Sequence, residues 1–372
     1  MTNSVAAPTL SKPHLDFLWL ELTNRCNLQC THCYAESGPT AEPGTISATQ
    51  YLELITEAYA LGCRQVQFIG GEPTLNPGLP LLIRAASKMG FKLIEVFTNL
   101  TRLSDELLEC FVENRVCIAT SVYGATDEVH DAVTQVSGSF VKTIANLRRV
   151  VGAGLPNRVA IIEMESNAGH TEATIAFLKR VGVQRVDPSK MRGVGRGAEA
   201  CDAGDMSQLC GRCAGGSLCV SPTGEVSPCI MSKQWPVGSL SSESFASIAK
   251  GSRLREIRER IYDAVSAKIG RYDRHSSVAS HGATCSPSFK TESCAPAFAD
   301  DSCAPEIMRD ARTMCPPAFE SELGAPSFAR EVHAACAPAF ANDSCAPAVK
   351  REVGPSAERL VTITAASVKA RR

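Results

Sequence analysis

From residue 16 to about 200, short apolar runs alternate with amphipathic helical patterns in units of about 30 residues. No other feature restricts the fold as much, because strands joined by helical crossovers run parallel and need helices to cover their sheet. The strands are expected at Phe17–Leu22, Gln65–Ile69, Leu93–Thr98, Cys117–Ser121, Val159–Met164 and Val183–Val186. Between them, Ser47 caps a helix closed by Gly62, and Pro77 sits in a first turn behind Asn76, with Gly90 after the last. Phe140, Ile144, Leu147 and Val151 recur at i, i+4, i+7 and i+11, the stripe of a helix lying on a sheet. Six such units fall short of a closed eight-unit barrel of about 250 residues. The predicted class is α/β, an incomplete (β/α)6 barrel over 16–200, preceded by an N-terminal segment, residues 1–15.

Beyond Arg196 the text changes to Gly, Cys and turn residues, followed by a helix near Arg253–Ile269 with Leu254, Ile257 and Ile261 on one stripe. Residues 201–270 therefore read as a small cysteine-rich domain. The remainder, 271–372, is a polar linker and a repeat tail: CSPSF, CAPAF, CAPEI, CPPAF, GAPSF, CAPAF and CAPAV start at 285, 294, 303, 315, 324, 336 and 345. Proline in every unit and few aliphatic residues argue against a conventional core there, so the tail is expected to be disordered. A net charge of −1 excludes a general polyanion binder, so no nucleic acid is expected. No apolar run reaches the roughly 18 residues of a membrane span, and the N-terminus has no signal core, which predicts a cytoplasmic protein without membrane contact. In a reducing cytosol the 17 cysteines point to metal, cluster or redox chemistry rather than to disulfides.

Cys26-x3-Cys30-x2-Cys33 follows the first strand directly. Three thiolates on one loop can hold three corners of an iron–sulfur cube and leave the fourth iron open. A structural zinc site is the plainer use, but zinc typically takes a fourth protein ligand. The segment resembles the radical S-adenosylmethionine (SAM) superfamily, whose motif is Cys-x3-Cys-x-aromatic-Cys, with His32 here at the aromatic position. The resemblance implies a [4Fe–4S] cluster whose open iron chelates the amino and carboxylate groups of S-adenosylmethionine. It also implies that Gly70-Gly71-Glu72-Pro73, ending the second strand, binds the methionyl amine, with Glu72 as an acceptor. Asn99 and Ser121, at the ends of the third and fourth strands, aim polar groups at the same rim, where β/α barrels gather their catalytic groups.

Cys210-x2-Cys213-x5-Cys219-x9-Cys229 adds four thiols, with Cys201 upstream. Cys213-x10-Gly224-x4-Cys229 resembles the hairpin of SPASM and Twitch auxiliary-cluster domains, with Pro222-Thr223-Gly224 as the turn that sets Cys229 opposite Cys219 or its neighbours. No further cysteine run of SPASM spacing follows Cys229, which favours a shorter Twitch-type domain with one auxiliary [4Fe–4S] cluster. Its ligands are expected to be Cys210, Cys213, Cys229 and, fourth, Cys219, with Cys201 or a tail cysteine as alternatives. A zinc ribbon remains open, because spacing does not separate the two metals. Cys63, Cys110 and Cys117 lie in helix or strand patterns and read as core.

SVYGATDEVHDAVTQVSGSF resembles a stretch of SPASM and Twitch enzymes that mature ribosomally made peptides. That resemblance implies hydrogen abstraction from a precursor peptide, giving a thioether, a carbon–carbon link or an epimer, with a flavodoxin or ferredoxin as electron donor. No leader-binding domain fits into residues 1–15, so a separate leader-binding protein or the barrel itself would recognise the leader. A small-molecule dehydrogenase and a non-catalytic redox or metal-binding protein are the alternatives. The tail has three readings: metal ligands, an attached substrate-like peptide, or an extension without catalytic consequence.

Overall fold

The computed structural model describes residues 15–200, 204–209, 213 and 215–269. The N-terminal segment up to residue 14, Cys201, Cys210 and the whole tail lie outside the described residues. Six parallel strands form the first part: β1 Phe17–Glu21, β2 Gln65–Ile69, β3 Leu93–Phe97, β4 Cys117–Ser121, β5 Asn157–Glu163 and β6 Arg185–Lys190. They are joined by α1 Ala48–Ala60, α2 Leu79–Met89, α3 Asp105–Glu113, the pair α4 Asp127–Thr134 and α5 Ser139–Gly152, and α6 Thr171–Val181. β1 to β4 are buried almost throughout, as strands covered on both faces must be.

Local chemistry sets the helix ends. Ser47 and Gln50 form a capping box at α1, and Gly90 ends α2 at φ +88°, in the left-handed region that favours glycine. Pro77 is not in a first turn: α2 begins two residues later, after an Asn76 side chain that accepts from the Gly78 N–H at 2.8 Å. The buried stripe of α5 is Thr143, Ile144, Leu147 and Val150, flanked by Phe140 and Val151. The sixth strand starts two residues later than expected because its inward positions are polar: Asp187 and Ser189 are buried, so no apolar run marks them. Pro188 is tolerated because β6 pairs on one side only.

The sheet does not stop at the barrel. β7 Ser217–Val220 lies parallel to β1, from Phe17↔Ser217 to Leu20↔Val220, and continues through antiparallel β8 Glu225–Ser227 and β9 Gly238–Ser239. The strand order is β6-β5-β4-β3-β2-β1-β7-β8-β9. The cysteine-rich segment is thus built onto the open edge of β1. The expected turn is there, with Gly224 at φ +90°, and Cys219 stands opposite Ser227, two residues short of Cys229. After α7 Gly197–Ala200 and α8 Phe245–Lys250, α9 Ser252–Ile269 buries Ile257, Ile261 and Val265 and packs on the Met206–Gln208 turn. Cys63, Cys110 and Cys117 are buried in the core. Among the described residues no helix is long and apolar enough to cross a membrane.

Inside the barrel, Arg158 and Glu95 form a buried two-point ion pair, Nε to Oε2 at 2.7 Å and Nη2 to Oε1 at 2.6 Å. Gln67 also donates to Glu95. Trp19, Gln67 and Glu95 are neighbours in register on β1, β2 and β3.

Candidate active site

The loop after β1 carries Cys26, Cys30 and Cys33, and its backbone is pinned from three directions. The end of α4 accepts from it, Gln29 N–H to Thr134 O at 3.0 Å and Thr31 N–H to Val133 O at 3.0 Å. Arg196, far along the chain, donates Nε to Cys30 O at 2.9 Å, its N–H to Cys33 O at 3.0 Å and Nη2 to Ser37 O at 2.8 Å. The third fastening is the glycine pair: Gly71 N–H donates to Thr23 O at 2.6 Å and Glu72 N–H to Arg25 O at 2.8 Å. A Cβ on Gly71 would stand 2.2 Å from Arg25 O. Gly71→Ala must therefore displace the backbone that carries the cysteines. We expect it to cost about 1–3 kcal/mol and to lower iron content after anaerobic reconstitution, whereas Gly152→Ala, at the end of α5 with open space around its Cβ, keeps full iron.

Cys26, Cys30, Cys33, His32, Gly70, Gly71, Asn99 and Ser121 all line one cavity at the C-terminal ends of the strands, about 130 Å³ in volume. One water needs about 10–15 Å³ on that measure, so the space suits an organic ligand. Glu72 and Pro73 do not line it. Glu72 is fully buried, with Oε1 accepting from Thr98 Oγ1 at 2.6 Å and Thr74 N–H at 3.1 Å, and Oε2 from Asn99 N–H at 2.7 Å. It was expected to face an ammonium group; in this structure it ties the β2 loop to the β3 loop, and burial raises its pKa. Asn99 in turn donates Nδ2 to Cys26 Sγ at 3.7 Å and to Asn27 Oδ1 at 2.9 Å. His32 meets Tyr123 edge-on, ring centroids 5.0 Å apart, and burial, then the Arg196 charge, hold its imidazole down to about 4, hence neutral.

Burial, then neighbouring Glu72, pushes Cys26 up to about 12, and burial with the Cys33 and Cys26 charges raises Cys30 further. Thiolates crowded on one loop tolerate one another only around a positive centre. Among the described residues no three His, Cys, Asp or Glu side chains converge on a single metal ion. A cube does not ask for that convergence, since each sulfur grips a different iron. The donor set and the open cavity beside it fit a [4Fe–4S] cluster with S-adenosylmethionine on its free iron.

In the second group, the Cys213 thiol hydrogen-bonds Cys229. Burial opposes ionisation of Cys229, but that bond, those from Ser232 and the Met231 N–H, and the Arg192 charge bring it down to about 7. This pair fits an auxiliary cluster. Cys219 is buried on the barrel side, raised by burial and by Glu21, whose carboxylate pairs with Lys233 Nζ at 2.7 Å.

Several residues escaped the sequence reading. In the sequence Arg196 marks only the point where the pattern changes, yet it sews the cysteine loop down. Arg192 lines the cavity and also acts on Cys213 and Cys229, so it lies between the two thiol groups. Tyr123 hydrogen-bonds Cys30. Asp131 caps α5, its carboxylate accepting from Gly138 N–H at 2.6 Å, Ser139 Oγ at 2.6 Å and Phe140 N–H at 2.8 Å. The signal was the HD and GSF pair seven residues apart, read as part of a resemblance rather than as a cap.

His130 is buried on α4, its Nδ1 accepting from Tyr123 N–H at 3.3 Å, and burial holds its pKa down to about 4. An unfolded chain takes up that proton near pH 6.5. The stability it contributes is therefore fully present above about 6.5 and lost as pH falls toward 4. For the cluster-free chain, unfolding free energy between pH 7 and 4.5 is expected to fall by about 2–3 kcal/mol less in His130→Asn than in the parent.

A profile of the radical SAM superfamily matches residues 20–178, and one of the SPASM iron–sulfur cluster-binding domain matches residues 210–271. The chain is similar to the antilisterial bacteriocin subtilosin biosynthesis protein AlbA of Bacillus subtilis, 27% identical over 261 residues, 61% of this chain and 58% of AlbA. It is 32% identical over 183 residues to the mycofactocin maturase MftC of Mycobacterium ulcerans, 48% of each chain. It thus spans about half the length of the curated relatives it matches. Among solved structures, Streptococcus suis SuiB bound to precursor peptide SuiA shares the fold at TM-score 0.57 and 14% identity, over 66% of this chain and 67% of that one. With three thiols ringing a cavity at the strand ends and a second cysteine pair flanking the β7–β8 hairpin, residues 20–178 of this chain make up a radical S-adenosylmethionine domain and residues 210–271 a SPASM iron–sulfur cluster-binding domain.

Proposed function

We propose that the chain is a radical SAM peptide maturase, abstracting hydrogen from an unactivated carbon of a ribosomally made peptide to form a thioether, a carbon–carbon link or an epimer. The observation that carries this reading is the single cavity that holds all three cluster thiols, the cofactor-facing glycines and Arg192 beside the second cysteine pair. The relatives named for subtilosin biosynthesis and mycofactocin maturation support a peptide substrate.

Cys26, Cys30 and Cys33 hold the first cluster in this reading, and Cys213 and Cys229, with Cys210 and Cys219, hold the auxiliary one. When bound, the cluster with its cofactor supplies one-electron cleavage of a sulfonium and hydrogen-atom abstraction. The protein supplies position. Gly70 and Gly71 line the cavity and let the cysteine loop pack against the end of β2, Asn99 orients Cys26, His32 offers a neutral ring face, and Ser121 a hydroxyl at the rim. Leu28, Phe97 and Ile162 exclude water from a reactive centre. A flavodoxin- or ferredoxin-type protein is the electron donor this reading calls for, and a peptide leader would be recognised by a separate protein or by the barrel itself.

Anaerobic chain loaded with iron and sulfide, given S-adenosylmethionine and a chemical reductant, is expected to release 5′-deoxyadenosine. Fully clustered protein that releases none would contradict the proposal.

A further inference from the structure

We propose that the substrate of this site is the chain's own C-terminal repeat, each cysteine-bearing unit becoming cross-linked through its sulfur. This rests on the radical reading above and names its substrate. The first support is the match between the cavity and the units. Leu28, Ile69, Phe97, Ile162, Ile230 and Met231 give the cavity apolar walls beside the thiols. Six of the seven units, all but CAPEI, are five-residue stretches without charge, while every spacer between units carries charge, such as Lys290 and Glu292, Asp300 and Asp301, or Glu320 and Glu322. The repeat is written so that one uncharged segment at a time suits an apolar space, with charges left to the solvent on either side.

The second support is reach. The last described residue is Ile269 and the first unit starts at Cys285, 16 residues on. Sixteen residues span at most about 53–58 Å, whereas about 255 residues folded compactly have a radius of gyration near 18 Å. Every unit is therefore long enough in chain to visit the strand ends of its own molecule. Attachment also removes the translational cost of capturing a separate peptide.

The chemistry balances without an added oxidant, because S-adenosylmethionine serves as one. One electron cleaves it to methionine and a 5′-deoxyadenosyl radical, which takes a hydrogen atom from a carbon of the unit. The unit's thiol gives its proton to solvent, and its sulfur bonds to that carbon. The electron released on bond formation passes to the clusters and restores the one spent. Each bond consumes one S-adenosylmethionine, yields methionine and 5′-deoxyadenosine, and removes two hydrogens from the unit.

The GAPSF unit at Gly324 has no thiol and is an internal control. The test uses the full chain, clustered and turned over anaerobically, then fully reduced to open any disulfide, alkylated, digested and weighed. The expected result is that thiol-bearing units lose two hydrogens and resist alkylation, the Gly324 unit keeps its mass, and the full-length Cys30→Ala chain shows no change in any unit. Thiol-bearing units that stay unaltered and alkylate fully while 5′-deoxyadenosine accumulates would overturn the self-modification and leave the radical reading standing. Absence of 5′-deoxyadenosine from clustered protein would overturn both. Equal modification in Cys30→Ala would overturn the assignment of the change to this site.

Discussion

Cys30→Ala is expected to remove one cluster, about four irons per chain, and with it all release of 5′-deoxyadenosine. On the proposed assignment the three thiols are not interchangeable spares: each would grip its own iron on a loop already fastened at Cys30 O and Cys33 O by Arg196. With one gone, two sulfurs remain for a cube that needs three, and the open coordination position loses its identity. Cys213→Ala is expected to remove a similar number of irons but to leave the first cluster in place, since Cys213 lies on the hairpin side with Cys229. Iron and sulfide analysis, with the low-temperature electron paramagnetic resonance spectrum of each reduced variant, distinguishes the two losses. If either variant keeps the parent's iron, the corresponding ligand assignment is wrong.

Glu95→Ala should destabilise the fold by about 3–5 kcal/mol, because it leaves the Arg158 guanidinium buried without its counter-charge. Arg158 is only 2% exposed in its side chain and Glu95 6%, so water cannot take over either role. Gln67 loses its acceptor as well. In a domain of this size the change lowers the melting temperature by about 6–20 °C. Replacing both partners with methionine is expected to recover much of the loss, since the penalty comes from the orphaned charge more than from the missing attraction. A double variant no better than Glu95→Ala in thermal unfolding would refute this account.

The first five strands could be read in the sequence because burial on both faces writes them as short, largely apolar runs, even where Gln67 and Glu95 interrupt β2 and β3. β6 was blurred because Asp187 and Ser189 turn inward. The cysteine triad and the glycine pair were legible as spacing, since their chemistry is local. What Glu72, Arg196 and Asp131 do was not, because each acts through partners that only the folded chain brings near. Arg196 reaches Cys30 across 166 residues, and no periodicity encodes such a contact. The hairpin was foreseen from Pro222-Thr223-Gly224. That its outer edge would pair with β1 was not, because a turn signal says nothing about the neighbour on the far side.

The pairing of β7 with β1 also orders events during synthesis. Phe17 and Ser217 are partners in register 200 residues apart, so at about 5–20 residues per second the ribosome needs some 10–40 s to deliver the second after the first. Throughout that interval the nascent barrel has a bare flank, able to recruit any extended segment that drifts past. Premature termination before Ser217 would make this exposure permanent, and the truncated product would be a target for chaperones rather than a smaller working barrel.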